Sequence, residues 1–269
     1  MPELPEVETT ARGIEPHLLG QQVTALHVRQ PKLRYPVPAE LAAIVGQPIV
    51  AVRRRAKYIL LDTAAGSAIV HLGMTGRLRV LPADTPLQLH DHLDLQLTDG
   101  RQLRFYDPRR FGAWLWSEAP EQHPLLASLG PEPLDEAFSG DYLHQRSMGR
   151  SQTVKAFIMD GKVVVGVGNI YACEALFRAG IRPQLAASDI SRSRYRRLAE
   201  CIKAVLGEAI AQGGTTFRDY VDANGNPGYF AVALAVYGRE SEPCRSCGEL
   251  IQRQVLAQRS TFFCRRCQR

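Results

Sequence analysis

The chain has 269 residues, of which 45% are hydrophobic and 22% are charged, and its net charge is +6. This composition excludes a disordered chain, a collagen and a disulfide-stapled mini-protein, and no run approaches the roughly 20 apolar residues of a membrane helix. The basic surplus lies near the C-terminus, where six arginines stand against Glu249 alone between Cys244 and Arg269. It favours a polyanionic partner. Because the first residues lack a basic and then apolar signal segment, we expect a cytoplasmic protein.

Residues 1–20 are predicted to form an amphipathic helix. Pro2 and Pro5 suit its first turn, and Glu3 and Glu6 suit the positive end of its dipole. Apolar residues recur at steps of three and four, so they share one face: Leu4, Val7, Ala11, Ile14 and Leu18.

Residues 21–117 are predicted to be β structure. Pro48–Asp62 and Ala68–Leu81 are rich in valine, isoleucine and leucine and are bounded by glycine or proline. His92–Leu97 and Gln102–Tyr106 flank Asp99-Gly100, a strong hairpin signal. Short antiparallel strands at this spacing indicate a sandwich or a barrel.

The pattern changes at residues 118–136, where proline and glycine indicate a linker. Five helices are predicted beyond it, at about 135–147, 152–160, 169–179, 188–212 and 215–222. A last β-like segment precedes a unit with four cysteines. We therefore predict an α+β protein with three domains, at residues 1–130, 131–228 and 229–269.

Two Cys-x-x-Cys pairs close the chain, and they are the strongest physical signal in it: Cys244, Cys247, Cys264 and Cys267. Without a secretion signal, this spacing predicts one closed structural zinc site rather than disulfides, the alternative being four unrelated thiols. Arg259 lies between the pairs, near the predicted hairpin tip, where it suits a phosphate. The alternative is an ordinary solvated loop residue.

Two further segments suit phosphate binding, although each also has an ordinary structural explanation. The turn Gly166–Asn169 opens a helix, with Asn169 as the expected N-cap, and exposes backbone N–H groups. The run Arg53–Lys57 enters a strand, and alternation puts Lys57 on the face of Arg53 and Arg55. The alternatives are a plain capped helix and a solvated sheet edge.

Two glycine-bounded loops, His71–Gly76 and Asp107–Gly112, present Met74, Arg109 and Phe111 at predicted strand ends. An apolar wedge beside an arginine is how proteins unstack a duplex step, whereas Met74 and Phe111 taken singly suit a core. His90 and His92 are two apart on one predicted strand face, and without a third ligand nearby we expect no metal there.

Together these segments resemble bacterial formamidopyrimidine-DNA glycosylases. The similarity runs in order from residue 2 to 269 and is carried by Pro2–Thr9, Arg55–Tyr58, His71–Met74, Asp107–Gly112, Val165–Tyr171 and Gln258–Cys267. The sister family, endonuclease VIII, typically has glycine where this chain has Leu4. The resemblance implies an N-terminal β-sandwich, a helix–two-turn–helix domain and a zinc finger. It also implies a monomeric base-excision repair enzyme for oxidised purines, with AP lyase activity.

The resemblance further assigns catalytic roles. Removal of Met1 would expose the secondary amine of Pro2, which attacks C1′ of the sugar, and Glu3 serves as acid/base. A chain-terminal amine deprotonates more readily than a lysine. Lys57 acts in β-elimination and Arg259 in δ-elimination. Apart from the resemblance, Pro2 and Glu3 would be read as an ordinary helix N-terminus.

The resemblance also implies a set of DNA contacts. Met74, Arg109 and Phe111 fill the gap left by the extruded base, with Arg109 opposite the orphaned cytosine. The DNA backbone is contacted by His90, Arg150 and Asn169, and Arg150 stands where relatives commonly have lysine. The lesion-binding loop is expected at Thr215–Tyr229.

Two alternatives stay open at this stage. An enzyme of the endonuclease VIII type would act on oxidised pyrimidines. A zinc-ribbon binder without catalysis would explain the basic C-terminus and would need nothing of Pro2.

Overall fold

The computed structural model describes residues 2–213 and 234–269. These form two compact units, one containing residues 2–127 and the other residues 128–212 and 234–269. The helix predicted at 215–222 and the lesion-binding loop predicted at Thr215–Tyr229 lie outside the described residues.

The first unit begins with helix α1, Leu4–Leu18, as the apolar periodicity predicts. Glu3 is its N-cap in a capping box: the Glu3 backbone N–H donates to Glu6 Oε2 at 2.8 Å, and the Glu3 side chain accepts from the Glu6 backbone N–H. This exchange satisfies two of the donors that a helix start otherwise leaves open. Two shorter elements are the 3₁₀ turn Ala39–Ile44 and helix α2, Pro124–Ala127, preceded by a second 3₁₀ turn.

Eight strands build a β-sandwich in this unit: β1 (Val23–Val28), β2 (Ala51–Arg55), β3 (Tyr58–Thr63), β4 (Gly66–His71), β5 (Arg77–Pro82), β6 (Asp91–Leu97), β7 (Arg101–Tyr106) and β8 (Ala113–Ser117). They form two four-stranded sheets, in the orders β1-β6-β7-β5 and β2-β3-β4-β8, and every pairing is antiparallel. The core contains the apolar face of α1 and side chains of both sheets. Phe105 of one sheet meets Trp114 of the other edge to face, 6.0 Å between ring centroids.

Two of the predicted extended segments are in fact two strands each. Pro48–Asp62 turns back at Ala56 and Lys57, and Ala56 has a φ of 55°. Ala68–Leu81 breaks after His71, so its halves join different sheets. The first turn has no glycine or proline to mark it, whereas the second break coincides with the glycine-bounded loop predicted at His71–Gly76. The β6–β7 hairpin around Asp99-Gly100 is confirmed.

The shared strand face predicted for His90 and His92 is also wrong. His92 lies within β6, where it is buried. His90 precedes that strand and has a φ of 78°, so the two rings do not follow strand alternation.

The second unit contains helices α3 (Gly140–Ser147), α4 (Val154–Met159), α5 (Asn169–Ala179) and α6 (Arg192–Ala211), and the 3₁₀ turn Ala187–Asp189. Helices α3, α4 and α6 begin later than predicted because a hydroxyl residue caps each of them: Ser139 for α3, Thr153 for α4 and Ser191 for α6. Helix α5 has the predicted bounds, but its N-cap is Gly168 and not Asn169.

A two-stranded hairpin completes this unit, with strands β9 (Gln252–Leu256) and β10 (Arg259–Phe263). Ala257 and Gln258 form the turn, both with positive φ, so Arg259 starts a strand beside the tip. The hairpin packs against α5 through a small apolar cluster that includes Cys173, Ile251 and Phe262. The predicted fold class, with β-sandwich, helical part and four-cysteine unit, is confirmed. Across the described ranges, none of the helices is both long and apolar enough to span a membrane.

Candidate functional site

The start of the chain places a carboxylate at the positive end of a helix. Pro2 is half-buried and Glu3, directly after it, is only 3% exposed. The capping box holds Glu3 against the first turn of α1, where the helix dipole favours negative charge. The start of α1 therefore presents Pro2 and a sheltered Glu3 carboxylate as sequence neighbours.

Lys57 lies in the two-residue turn between β2 and β3, not on a strand face as the alternation predicts. Arg54 supports this turn, because its Nη1 donates to the Ala56 carbonyl oxygen at 3.0 Å. The Nε of Arg54 donates to Glu8 Oε2 of α1 at 2.6 Å. Burial opposes ionisation of Glu8, but hydrogen bonds from Arg54 and Arg12 outweigh it and lower the Glu8 pKa. The Glu8–Arg54 pair thus links α1 to the Lys57 turn.

His71 ends β4 opposite Tyr58, and their ring centroids are 5.0 Å apart. The His71 Nδ1 accepts a hydrogen bond from the Gly73 N–H at 2.9 Å, which fixes the start of the loop that follows. Burial, together with the smaller effect of the positive charges of Arg34 and Lys57, lowers the pKa of His71 to about 4. The imidazole is therefore neutral at pH 7, in a positive field that suits a phosphate.

Met74 and Phe111 are on the surface, 38% and 43% exposed, so the alternative that they are core residues is wrong. The guanidinium of Arg109 lies over the Phe111 ring, 4.7 Å from its centroid. Such stacking holds an arginine in place through cation–π attraction. The exposed apolar pair and the stacked arginine have the composition of a wedge that enters a base stack.

Asp107 is a residue to which the sequence analysis assigned no role of its own. Its carboxylate is completely buried and accepts from the Thr75 hydroxyl at 2.6 Å and from the Gly112 N–H at 2.8 Å. Its backbone N–H donates to the His90 carbonyl oxygen at 3.1 Å. The signal available in the sequence was an acid at the start of a glycine-bounded loop, a position where a carboxylate commonly bonds to local backbone N–H groups.

In the second unit, Asn169 links the start of α5 to the hairpin. Its Nδ2 donates to the Ser260 carbonyl oxygen at 2.9 Å, next to Arg259 in sequence. Its Oδ1 accepts from Lys155 Nζ at 2.5 Å, and that ammonium also donates to the Thr261 hydroxyl at 2.6 Å. Lys155 is 1% exposed and was missed, since one lysine within an apolar helix gives little signal in the sequence.

Two other predicted cationic contacts of this unit are exposed side chains. Arg150 lies between α3 and α4, and Arg259 begins β10 opposite Leu256. Pro2, Glu3, Lys57, Met74, His90, Arg109 and Phe111 belong to the first unit, and Arg150, Asn169, Arg259 and the four cysteines belong to the second.

The four cysteines form a metal site. Their sulfur atoms all lie within 4.8 Å of one another; Cys244 and Cys267 are 3.9 Å apart and Cys247 and Cys264 are 3.5 Å apart. Zinc–thiolate bonds of about 2.3 Å in a tetrahedron place sulfurs roughly 3.8 Å apart, so the cluster fits zinc. With four protein ligands the site is closed, so the ion has a structural role.

Three family models match the chain in order. The formamidopyrimidine-DNA glycosylase N-terminal domain matches residues 1–114, the formamidopyrimidine-DNA glycosylase H2TH domain matches residues 129–221, and the zinc finger found in FPG and IleRS matches residues 241–269. A formamidopyrimidine-DNA glycosylase of Stenotrophomonas maltophilia is 60% identical over the full length of both chains. The chain belongs to the formamidopyrimidine-DNA glycosylase family.

Other family members agree over the whole length. The formamidopyrimidine-DNA glycosylase of Shewanella loihica is 59% identical, covering 100% of this chain and 99% of the relative. The MutM (FPG) protein of Thermus thermophilus is 40% identical, with a TM-score of 0.89 over 99% of this chain and 98% of that one. The Lactococcus lactis Fpg, solved with abasic-site DNA, is 32% identical, with a TM-score of 0.91 over 100% of both.

The predicted family, activity and cofactor are therefore confirmed. As a formamidopyrimidine-DNA glycosylase, the chain is a bifunctional DNA glycosylase and AP lyase of base excision repair, directed at oxidised purines in DNA and containing one structural zinc. The alternative of a zinc-ribbon binder without catalysis is wrong, because the similarity includes the catalytic N-terminal domain. The endonuclease VIII alternative is wrong as well, since the matched domains and relatives carry the formamidopyrimidine name.

Proposed function

We propose that the N-terminal amine of Pro2, free after removal of Met1, is the nucleophile of this glycosylase and lyase. The observation that carries the proposal is the capping box, which holds the buried Glu3 side chain at the start of α1. Pro2 directly precedes Glu3, so its nitrogen lies one residue from this carboxyl group's backbone. A terminal amine has an ordinary pKa near 8, against about 10.4 for lysine, so a useful fraction is neutral at pH 7. The positive end of α1 favours the neutral amine further.

The chemistry proceeds in balanced steps. The lone pair of the Pro2 nitrogen forms a bond to C1′, the damaged base leaves with the electrons of the glycosidic bond, and the nitrogen gives up its proton to the departing base. Glu3 delivers a proton as the sugar ring opens, and the nitrogen becomes an iminium joined to C1′. Loss of a C2′ proton then expels the 3′ phosphate, and a second elimination expels the 5′ phosphate. Water finally hydrolyses the iminium and frees the amine.

Lys57 is proposed to assist the first elimination and Arg259 the second, each also holding a phosphate. The turn geometry supports Lys57, because the Arg54 bond to Ala56 holds the backbone directly before it. Exposure at the start of β10 supports Arg259, since its guanidinium is open to a polyanion. His90, Arg150 and Asn169 are proposed backbone contacts, and Met74, Arg109 and Phe111 are proposed to fill the gap in the base stack.

Borohydride reduction tests the nucleophile. Reduction of the iminium should fix the protein covalently on DNA containing 8-oxoguanine opposite cytosine, and mass spectrometry should place the bond on Pro2. Pro2→Gly and a variant that retains Met1 should trap far less, with Glu118→Gln as a surface control. Attachment to a lysine, or full trapping with Met1 retained, would overturn the assignment.

We also propose that the enzyme acts as a cytoplasmic monomer at the nucleoid, and that its domains divide at residues 1–130, 131–228 and 229–269. The family models, which match 1–114, 129–221 and 241–269, support this division. Limited proteolysis should cut first near residues 115–130, between the first two matched domains. A fluorescent fusion that does not overlap stained DNA in cells would contradict the nucleoid location.

A further inference from the structure

The geometry points to Asp107 as the positioning residue that holds the two wedge loops, Leu72–Gly76 and Asp107–Gly112, in one arrangement. The inference rests on the proposed function, in which Met74, Arg109 and Phe111 enter the base stack. Asp107 would not touch DNA. It would decide where these three side chains stand when DNA arrives.

The Asp107 carboxylate joins the loops on both sides. Oδ1 accepts from the Thr75 hydroxyl, one residue after Met74, and Oδ2 accepts from Gly112, one residue after Phe111. Oδ1 also accepts from the Arg109 backbone N–H at 3.3 Å. Hydrogen bonds to an ionised acceptor are stronger than those between neutral groups. The donors are Arg109 itself and the residues directly after Met74 and Phe111, so the bonds hold the backbone beside each wedge side chain.

The Asp107 backbone adds a third segment. Its N–H donates to the His90 carbonyl oxygen, and its own carbonyl oxygen accepts from Nε2 of the buried His92 ring at 2.8 Å. The same carbonyl accepts from the Arg110 N–H at 3.2 Å, and Arg110 has a φ of 55°. One completely buried residue thus fixes both wedge loops and the approach to β6.

The two loops also meet directly, backbone against backbone. A Cβ on Gly73 would lie 2.4 Å from the Phe111 carbonyl carbon and 2.5 Å from the Gly112 nitrogen. Because there is no room between the loops, a shift of one displaces the other. The carboxylate of Asp107 bonds to Thr75 and Gly112 beside this contact, so it holds the loops at that spacing.

The wedge needs such support. Met74 and Phe111 are exposed and lack a surrounding core, so the backbone of their loops sets their positions. Unstacking a base step costs a few kcal/mol, which a displaced wedge recovers only in part. Misplacement by about 1 Å can reduce a rate roughly 100-fold. Loss of Asp107 should therefore reduce lesion excision and the preference of Arg109 for an opposite cytosine.

The positioning role of Asp107 is tested by single-turnover excision of 8-oxoguanine opposite cytosine and opposite adenine. Borohydride trapping on single-stranded abasic DNA, which requires no wedge, is measured in parallel. Asp107→Ala should reduce excision opposite cytosine about 100-fold and shrink the cytosine-to-adenine ratio. On single-stranded abasic DNA, the reduction in trapping caused by Asp107→Ala should be at least about tenfold smaller. Asp107→Asn should recover part of the duplex activity, because its oxygen can serve Gly112 while its amide donates to Thr75.

Thr75→Val keeps Asp107 and removes only the bond to the Met74 loop, so it remains informative where Asp107→Ala does not fold. It should lower the cytosine-to-adenine ratio, and Thr75→Ser should restore it. The matched control is Thr63→Val. It removes the bond from the Thr63 hydroxyl to Gly66 at the β3–β4 turn, at the end of β4 opposite to the Leu72–Gly76 loop, and it should leave the ratio unchanged.

Arg109→Ala distinguishes failure of the positioning role of Asp107 from failure of the proposed wedge. If Arg109→Ala alters the ratio and the Asp107 and Thr75 variants do not, the positioning role is wrong and the wedge stands. If Arg109→Ala leaves the ratio unchanged, the proposed wedge itself is wrong. Equal losses for Asp107→Ala on duplex and single-stranded substrates would also overturn the inference, because they would indicate a general loss of structure.

Discussion

The sandwich and the zinc hairpin both present cationic side chains proposed to contact DNA, but different forces hold them. Lys57 and Arg109 extend from a unit whose described core contains 22 buried apolar residues. Arg259 extends from a hairpin whose described cluster has six, and two of those, Cys244 and Cys264, are zinc ligands. The sandwich can be stable through apolar burial, whereas so small a hairpin depends on its metal. The sandwich and the zinc hairpin should therefore fail under different treatments.

Loss of zinc should have the largest effect. Cys264→Ser removes a ligand, and structural zinc contributes on the order of 10 kcal/mol to such a site. We expect loss of the metal, of amide protection in β9 and β10 and of DNA binding, while β3 and β4 stay protected. Metal analysis and hydrogen exchange measure this, with the half-buried, non-ligand Cys201→Ser as control. Simultaneous loss of protection in the hairpin and the sandwich would show that the two fold as one.

Acid should destabilise the sandwich through His71. Its pKa is about 4 in the folded protein, against an ordinary value of 6.5, because the ring is buried. Between these values the unfolded chain binds the proton more readily, so the free energy of unfolding should fall as pH drops from 6.5 to 4, by about 3 kcal/mol. His71→Gln should remove this slope, and the exposed His27→Gln should keep it. An unchanged slope in His71→Gln would place the titrating group elsewhere.

Lys155 tests whether the hairpin has a second support besides zinc. Lys155→Met removes the ammonium that donates to Asn169 and Thr261, and buried acceptors that lose a donor cost roughly 1–3 kcal/mol. We expect lower stability of the second unit and weaker DNA binding, with zinc retained. The exposed Lys162→Met is the control. Binding and stability equal to those of the parent would show that zinc alone suffices.

Glu8→Gln should produce the smallest change. It retains a neutral hydrogen bond to Arg54 and loses the ion pair, which should cost about 1 kcal/mol. Because the Glu8 pKa is lowered in the folded protein, this difference should be present above its ordinary pKa of 4.5 and should vanish as pH falls through the lower folded value. Strand cleavage should decrease more than base release, since the pair supports the Lys57 turn. An equal decrease in both would contradict that link.

Local signals predicted much of this molecule. The spacing of the four cysteines predicts the metal site, and the apolar repeat predicts α1, because each depends on residues close in sequence. The reversal at Ala56 was missed, since neither glycine nor proline marks that turn, whereas the break after His71 coincides with the glycine-bounded loop predicted at His71–Gly76. Asp107 and Lys155 were missed because their partners, Thr75 and Thr261, lie 32 and 106 residues away. Only the tertiary structure brings such pairs together.

The close backbone contact between the two wedge loops at Gly73 affects how mutational scans of this enzyme should be interpreted. Any side chain there would collide with the Phe111–Gly112 peptide, and the φ of 67° adds backbone strain. Gly73→Ala would therefore score as a lesion-recognition defect, although the residue has no side chain to offer a nucleotide. A loss of activity on substitution of Gly73 would reflect the close packing of the two loop backbones and not a contact with the substrate.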